Sequence, residues 1–181
     1  MALDPKSKER PQRARPGSRI AVVVSRFHED LTGAMLASAR REFEARGVSA
    51  DHIDVVWVPG SFELPIVARR FAHRGDVDAV VCFGLVLKGE TEHDHWVAAG
   101  TVQGLVQASL ETDVPIHFGV LTCATLEQAR ARALPPDQGG REDKGREVAA
   151  AAIETLLALD QVDAHHVHLR DRQAEIEGRQ A

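Results

Sequence analysis

At 181 residues, with 44% hydrophobic and 27% charged side chains, the chain carries enough apolar material for one domain with its own core. A net charge of -5 excludes a whole-molecule pull towards nucleic acid or anionic membranes. No apolar run nears the ~20 residues of a membrane span and no signal-peptide core opens the chain, so the reading is a cytoplasmic protein. The two cysteines, Cys82 and Cys123, sit in apolar surroundings and read as buried reduced thiols rather than a bridge.

Residues 1–18 are basic, bear prolines and have almost no apolar side chains. They cannot supply a core face and read as a disordered arm in preference to a nucleic-acid tail. Arg19 to Ser25 is an apolar run of strand type. Leu31, Met35, Leu36, Ala39 and Phe43 then recur at helical spacing up to Arg46, and Gly47 closes the helix. Ile53 to Val58 reads as a second strand, with a turn at Pro59-Gly60-Ser61. The helix Phe62 to Arg74 tolerates Pro65 in its first turn.

A third strand, Ala79 to Leu87, leads through a Gly-bracketed turn into a helix from His95 to Glu111. A fourth strand covers Pro115 to Leu121, and a short helix Thr125 to Ala133. The stretch from Leu134 to Gly140 breaks the chain before a last Ala-rich helix, Arg141 to Leu159. Residues 160–181 read as a polar, fraying tail. Four strands alternating with helices predict an α/β fold, a parallel sheet covered on both faces. So narrow a sheet under apolar helices often completes its burial by oligomerising.

The parallel-sheet rule puts the four turns after the strands on one edge, where such folds bind ligands. These turns carry Arg26-Phe27-His28, Gly60-Ser61-Phe62-Glu63, Gly89-Glu90-Thr91-Glu92-His93 and Thr122-Cys123. Two aromatic faces, a carboxylate, turn N–H groups and a histidine suit a planar heterocycle, with an anion held at a helix start. A histidine there is placed for proton transfer near neutral pH.

Ser25-Arg-Phe27, Val58-Pro-Gly-Ser-Phe-Glu-Leu-Pro65, Lys88-Gly-Glu-Thr-Glu-His93, Ser109 to Pro115, Phe118-Gly-Val-Leu-Thr122 and Glu127 to Arg132 together resemble the lumazine synthases. The resemblance runs over residues 19–159, in the family's order. It implies a flavodoxin-like three-layer αβα sandwich and the penultimate step of riboflavin biosynthesis. In that step 5-amino-6-(D-ribitylamino)uracil and 3,4-dihydroxy-2-butanone 4-phosphate give 6,7-dimethyl-8-ribityllumazine, phosphate and water.

By resemblance, Phe27 stacks on the pyrimidine, while Ser61, Phe62 and Glu63 bind its ribityl chain and ring edge. Leu85, Val86 and Leu87 meet the ring through backbone groups, and Phe118 reaches in from a neighbouring subunit. Glu90 and Thr91 supply N–H groups and a hydroxyl to the butanone phosphate, Arg132 clamps it, and His93 shuttles protons. Lys144 is a further candidate, because Lys144-Gly145 survives from the family's linker between the last two helices. No cofactor is implied, and riboflavin synthase is a protein partner that the resemblance offers.

Three departures stand out. Glu90 puts a carboxylate beside the phosphate position and matters only through its N–H if the side chain points outward. Asp94-His95-Trp96 replaces the usual aromatic and acidic pair. The linker is lengthened to Leu134-Pro-Pro-Asp-Gln-Gly-Gly-Arg-Glu-Asp143.

Plainer readings apply to several groups. Phe27 and Phe62 suit a core, Arg132 a helix C-terminus, and His28 an exposed position. Glu90, Glu92, His93 and His95 lack a defined metal spacing, and His165, His166 and His168 read as a polar tail, so no metal is expected. The competing functions are a flavin- or pterin-binding module, a shell or scaffold, and a paralogue of little activity. The first would not need His93 with Arg132. For assembly, the long linker and Pro16 favour a pentamer, or two pentamers face to face, over a sixty-subunit shell.

Overall fold

The structure, a computed structural model, describes residues 12–178, with side chains up to residue 165. Strands β1 (Ile20–Ser25), β2 (Ile53–Val58), β3 (Ala79–Leu87) and β4 (Ile116–Cys123) form one sheet of order β2-β1-β3-β4. All three pairings are parallel. β1 and β3 are central and buried on both faces, which is why their sequences are continuous apolar runs rather than alternating ones.

The helices are α1 (Glu29–Ala45), α2 (Leu64–Arg74), α3 (His93–Thr112), α4 (Leu126–Ala133) and α5 (Lys144–Gly178). Val22 and Val24 of β1 pack with Leu31, Met35 and Phe43 of α1, Ala129 of α4 and Ile153 of α5. Ala21 and Val23, pointing the other way, pack with Leu64 and Ala68 of α2 and Leu105 of α3. The period of two along β1 thus splits the core into two layers and makes the αβα sandwich. After β2 the chain crosses back over β1 to lay down β3. The gap between the ends of β1 and β3 is therefore the switch point where open α/β sheets take ligands.

Several boundaries differ from expectation. α3 begins at His93, two residues early, because the Thr91 hydroxyl accepts the His93 N–H at 3.4 Å and starts the helix. β4 continues through Thr122 and Cys123, so these are strand rather than turn. α5 begins at Lys144, where the Asp143 carboxylate accepts the Arg146 N–H at 3.0 Å. It does not stop at Leu159 but runs helical to Gly178. The long linker is not loose. Arg141 and Glu142 both donate N–H groups to the Ala131 carbonyl, Gly140 donates to that of Pro135, and Pro135 is buried.

The basic arm lies largely outside the described residues, but its last part is held. Ala14 N–H donates to the Arg46 carbonyl at 2.9 Å, and Arg15 bridges Asp78 at 2.6 Å and Asp160 at 3.0 Å. Arg46, buried at the end of α1, pairs with Glu42 at 2.6 Å and Glu154 at 3.1 Å. Both cysteines are buried and unpaired. Burial raises both thiols' pKa values.

Candidate active site

A cavity of about 760 Å³ opens at the switch point. Its first wall is the end of β1. Arg26 N–H donates to the Val58 carbonyl, and Phe27 N–H to that of Pro59, so the chain continues past the strand in register with β2. His28 then takes a left-handed conformation, φ 58°, and ends this extended run. The Phe27 ring is left 69% exposed over the cavity. His28, expected to be merely exposed, is half-buried and lines the same wall.

The second wall is the turn after β2. The Glu63 carboxylate accepts the Gly60 N–H at 2.8 Å, and the Thr101 hydroxyl donates to the Ser61 carbonyl at 3.1 Å. The turn is pinned from both ends. Ser61 itself is buried over Gly84 of β3, where an added Cβ would come within 2.5 Å of the Ser61 oxygen. Only glycine lets the turn lie this close to the strand. The Ser61 hydroxyl is buried without a protein partner beside the cavity that the residue lines. Phe62 is 60% exposed at the rim.

β3 and the start of α3 supply the third wall: Leu85, Val86, Leu87, Lys88, Gly89, Thr91, His93, Asp94, Trp96 and Val97. His93 is the first residue of α3, at the helix end that favours anions. Trp96, three residues on and on the same face, leaves 65% of its surface exposed beside the cavity. Lys88, Asp94, Trp96 and Val97 were not assigned roles from sequence. Helical spacing from His93 would have found Trp96 and Val97.

One chain therefore brings together Phe27, Ser61, Phe62, Glu63, Leu85, Val86, Leu87, Thr91 and His93. It does not bring in four others. Glu90 is exposed and is not part of the cavity lining. Phe118 pairs with Cys82, four residues short of Val86. It is not part of the cavity lining. Arg132, on α4, donates to its own helix at the Gln128 carbonyl at 3.0 Å. Lys144 is held by Glu142 at 2.8 Å and Glu147 at 2.7 Å, which raise its pKa and keep it charged. Arg132 lies near this group and helps to hold the Glu142 carboxyl below its ordinary pKa, after the larger effect of Lys144. Among the described residues, no three His, Cys, Asp or Glu side chains converge as metal ligands.

Residues 17–160 match the family model described as 6,7-dimethyl-8-ribityllumazine synthase. The chain belongs to the lumazine synthase family. Relatives carrying that name include one from Salinibacter ruber, 44% identical over 148 residues, covering 81% of this chain and 92% of the relative. One from Thermus thermophilus is 46% identical over 147 residues, 81% of this chain and 90% of its own. One from Kineococcus radiotolerans is 48% identical over 143 residues, 79% and 86% respectively. The family match stops at residue 160, while α5 of this chain runs helical to Gly178. No described helix is long and apolar enough to cross a membrane.

Proposed function

We propose that this protein is a cytoplasmic 6,7-dimethyl-8-ribityllumazine synthase that condenses 5-amino-6-(D-ribitylamino)uracil with 3,4-dihydroxy-2-butanone 4-phosphate. The observation that carries the reading is the cavity at the switch point, where exposed Phe27 and Phe62 rings face a histidine at a helix N-terminus. Phe27 stacks on the pyrimidine, and the Ser61–Glu63 turn with Leu85 to Leu87 binds its polar edge and ribityl chain. The turn N–H groups of Glu90 and Thr91, with the Thr91 hydroxyl, take the phosphate. Imine formation, phosphate elimination and ring closure each move protons without net electron transfer. His93 carries those protons, and no metal or redox cofactor is needed.

The same reading explains the residues left outside the cavity. Phe118 lies on the edge strand β4, outside its own chain's cavity lining, and serves a neighbour's. Arg132 on α4 and Lys144 at the start of α5 lie outside that lining too, and complete the phosphate clamp in the same way. A homo-oligomer is therefore the active form, and a pentamer, or two face to face, the assembly. The exposed outer face of α2 and α3, with Ile66, Val102, Val106 and Leu110, supports a contact between copies.

Formation of the fluorescent lumazine from the two purified substrates tests this, with and without chelator. Chelator is expected to have no effect; activity lost to chelator and restored by a metal overturns the cofactor-free reading. His93→Ala is expected to lower turnover by up to about 10²–10⁴-fold with pyrimidine binding retained. Arg132→Ala is expected to weaken mainly the butanone phosphate. Loss of pyrimidine affinity alone in Arg132→Ala would contradict the clamp.

A further inference from the structure

Building on the Gly89–Thr91 turn as the seat of the substrate phosphate, we infer that Asp94 is an internal competitor for that seat and sets the affinity for the phosphate-bearing substrate. Asp94 is the second residue of α3, and its Oδ1 accepts the Gly89 N–H at 3.3 Å. The contact folds the carboxylate back over the turn, beside Lys88, Thr91 and His93 in the cavity wall. A carboxylate in the first helical turn is favoured by the helix dipole, and the same dipole and amides attract a phosphate. Asp94 takes the Gly89 N–H, next in the turn to the Glu90 and Thr91 donors, so the two anions crowd one short stretch of backbone.

The other carboxylates nearby do not compete. Glu90 and Glu92 are exposed and outside the cavity lining, and Glu63 is engaged with Gly60 across the cavity. Lys88 offsets part of the charge at the rim but makes no ion pair with Asp94. A phosphate monoester, carrying nearly two charges at neutral pH, displaces the single charge of Asp94 and binds more weakly for having done so.

The test uses the full chain with Asp94→Asn and Asp94→Ala, and reads two quantities. One is lumazine formation, giving kcat and a separate KM for each substrate. The other is binding of inorganic phosphate by calorimetry at low and high salt. Asp94→Asn keeps an acceptor for Gly89 and removes the charge. It is expected to lower KM for the butanone phosphate, and Kd for inorganic phosphate, by roughly three- to tenfold, the scale of one charge acting on a nearby dianion through water. The pyrimidine KM changes less than the phosphate KM, and the gain shrinks at high salt.

A purely structural role predicts instead that Asn behaves as wild type. An unchanged or raised phosphate KM in Asp94→Asn overturns the inference. Should Asp94→Ala fail to fold, the isosteric Asn variant decides alone. Should wild type make no lumazine, the enzyme reading fails while the phosphate titration still judges Asp94. Tighter phosphate in Asn supports the role, and equal or undetectable binding in both proteins overturns it.

Discussion

The two helical layers of this molecule are finished in different ways. On the α1/α5 side the first turns of α5 close the surface over α1. Ala149, Ala152 and Ile153 are fully buried against Met35, Ala39 and Phe43. The close fit at the start of α5 is backbone on backbone, with an added Cβ at Gly145 falling 2.2 Å from the Met35 carbonyl oxygen. On the α2/α3 side only the inner surface is closed. Outward, Val106 is 55% and Leu110 77% exposed, in line with Val102 and Gln103 along a shallow groove. The first layer is closed up to Leu156 and leaves Leu159 and Val162 exposed further along α5, while the other keeps a longer apolar stripe of the kind a partner surface needs. The cavity lies at the α2/α3 end, and Phe118 and Arg132 stand beyond its reach in the same chain.

The largest expected effect breaks the open layer. Val106→Asp with Leu110→Asp places charges where a partner copy would bury apolar surface. Assembly should be lost, and with it at least about a hundredfold of activity, the scale of misplacing one catalytic group. Far-UV circular dichroism should be unchanged, because neither residue supports its own core. Light scattering on the double variant checks this. A particle of wild-type mass with wild-type activity would sink the idea that this face joins copies.

A smaller effect sharpens the contrast through two glycines. Gly145→Ala drives a Cβ into the backbone of α1, which cannot swing aside, and should cost about 3 kcal/mol. Gly100→Ala on α3 meets only the Phe62 ring, 2.8 Å from the built Cβ. That ring is exposed at the rim and can rotate away, while the helix gains ~1 kcal/mol from losing a glycine. Urea unfolding should show Gly100→Ala within about 1 kcal/mol of wild type. Equal losses at the two positions would mean that the layers are equally rigid.

How much of this was legible in the sequence follows from what each feature depends on. β2 and β3 begin and end where their apolar runs do, because continuous Val-rich stretches bounded by polar turns have one packing solution in a parallel sheet. The start of α3 was misplaced because it depends on a single side chain, Thr91, bonding two residues ahead. The length of α5 was missed because its polar last turns carry no periodic apolar signal. The docking of Ala14 and Arg15 rests on partners as distant as Asp78 and Asp160, which no local pattern reveals. At the site, the strand-end rule named Phe27, the Ser61–Glu63 turn and His93, all of which line the cavity. That rule does not extend to Phe118 or Arg132, which lie outside this cavity's lining. Asp94 and Trp96 are not legible as lining residues because their place in the cavity wall depends on the helix starting at His93.

The smallest effect tests the α1/α5 layer at a buried polar group. His117, on β4 between Ile116 and Phe118, alternates to the same side of the sheet as Leu121 and Cys123, which belong to the α1/α5 core. Its Nε2 is buried without a hydrogen-bond partner, and burial pushes the imidazole down to about 4 from 6.5. The folded protein therefore holds this histidine neutral, while the unfolded chain takes up a proton below pH 6.5. Stability from this group is complete above pH 6.5 and declines as pH falls towards 4, by about 2 kcal/mol at pH 5. Carboxylates add their own acid dependence, so the measurement is a difference: urea unfolding of wild type and His117→Leu at several pH values from 7.5 to 5. The variant should gain on wild type steadily across that window. A difference that stays flat with pH would mean that His117 meets water or a proton acceptor on folding, and that this layer is less completely closed than its apolar packing implies.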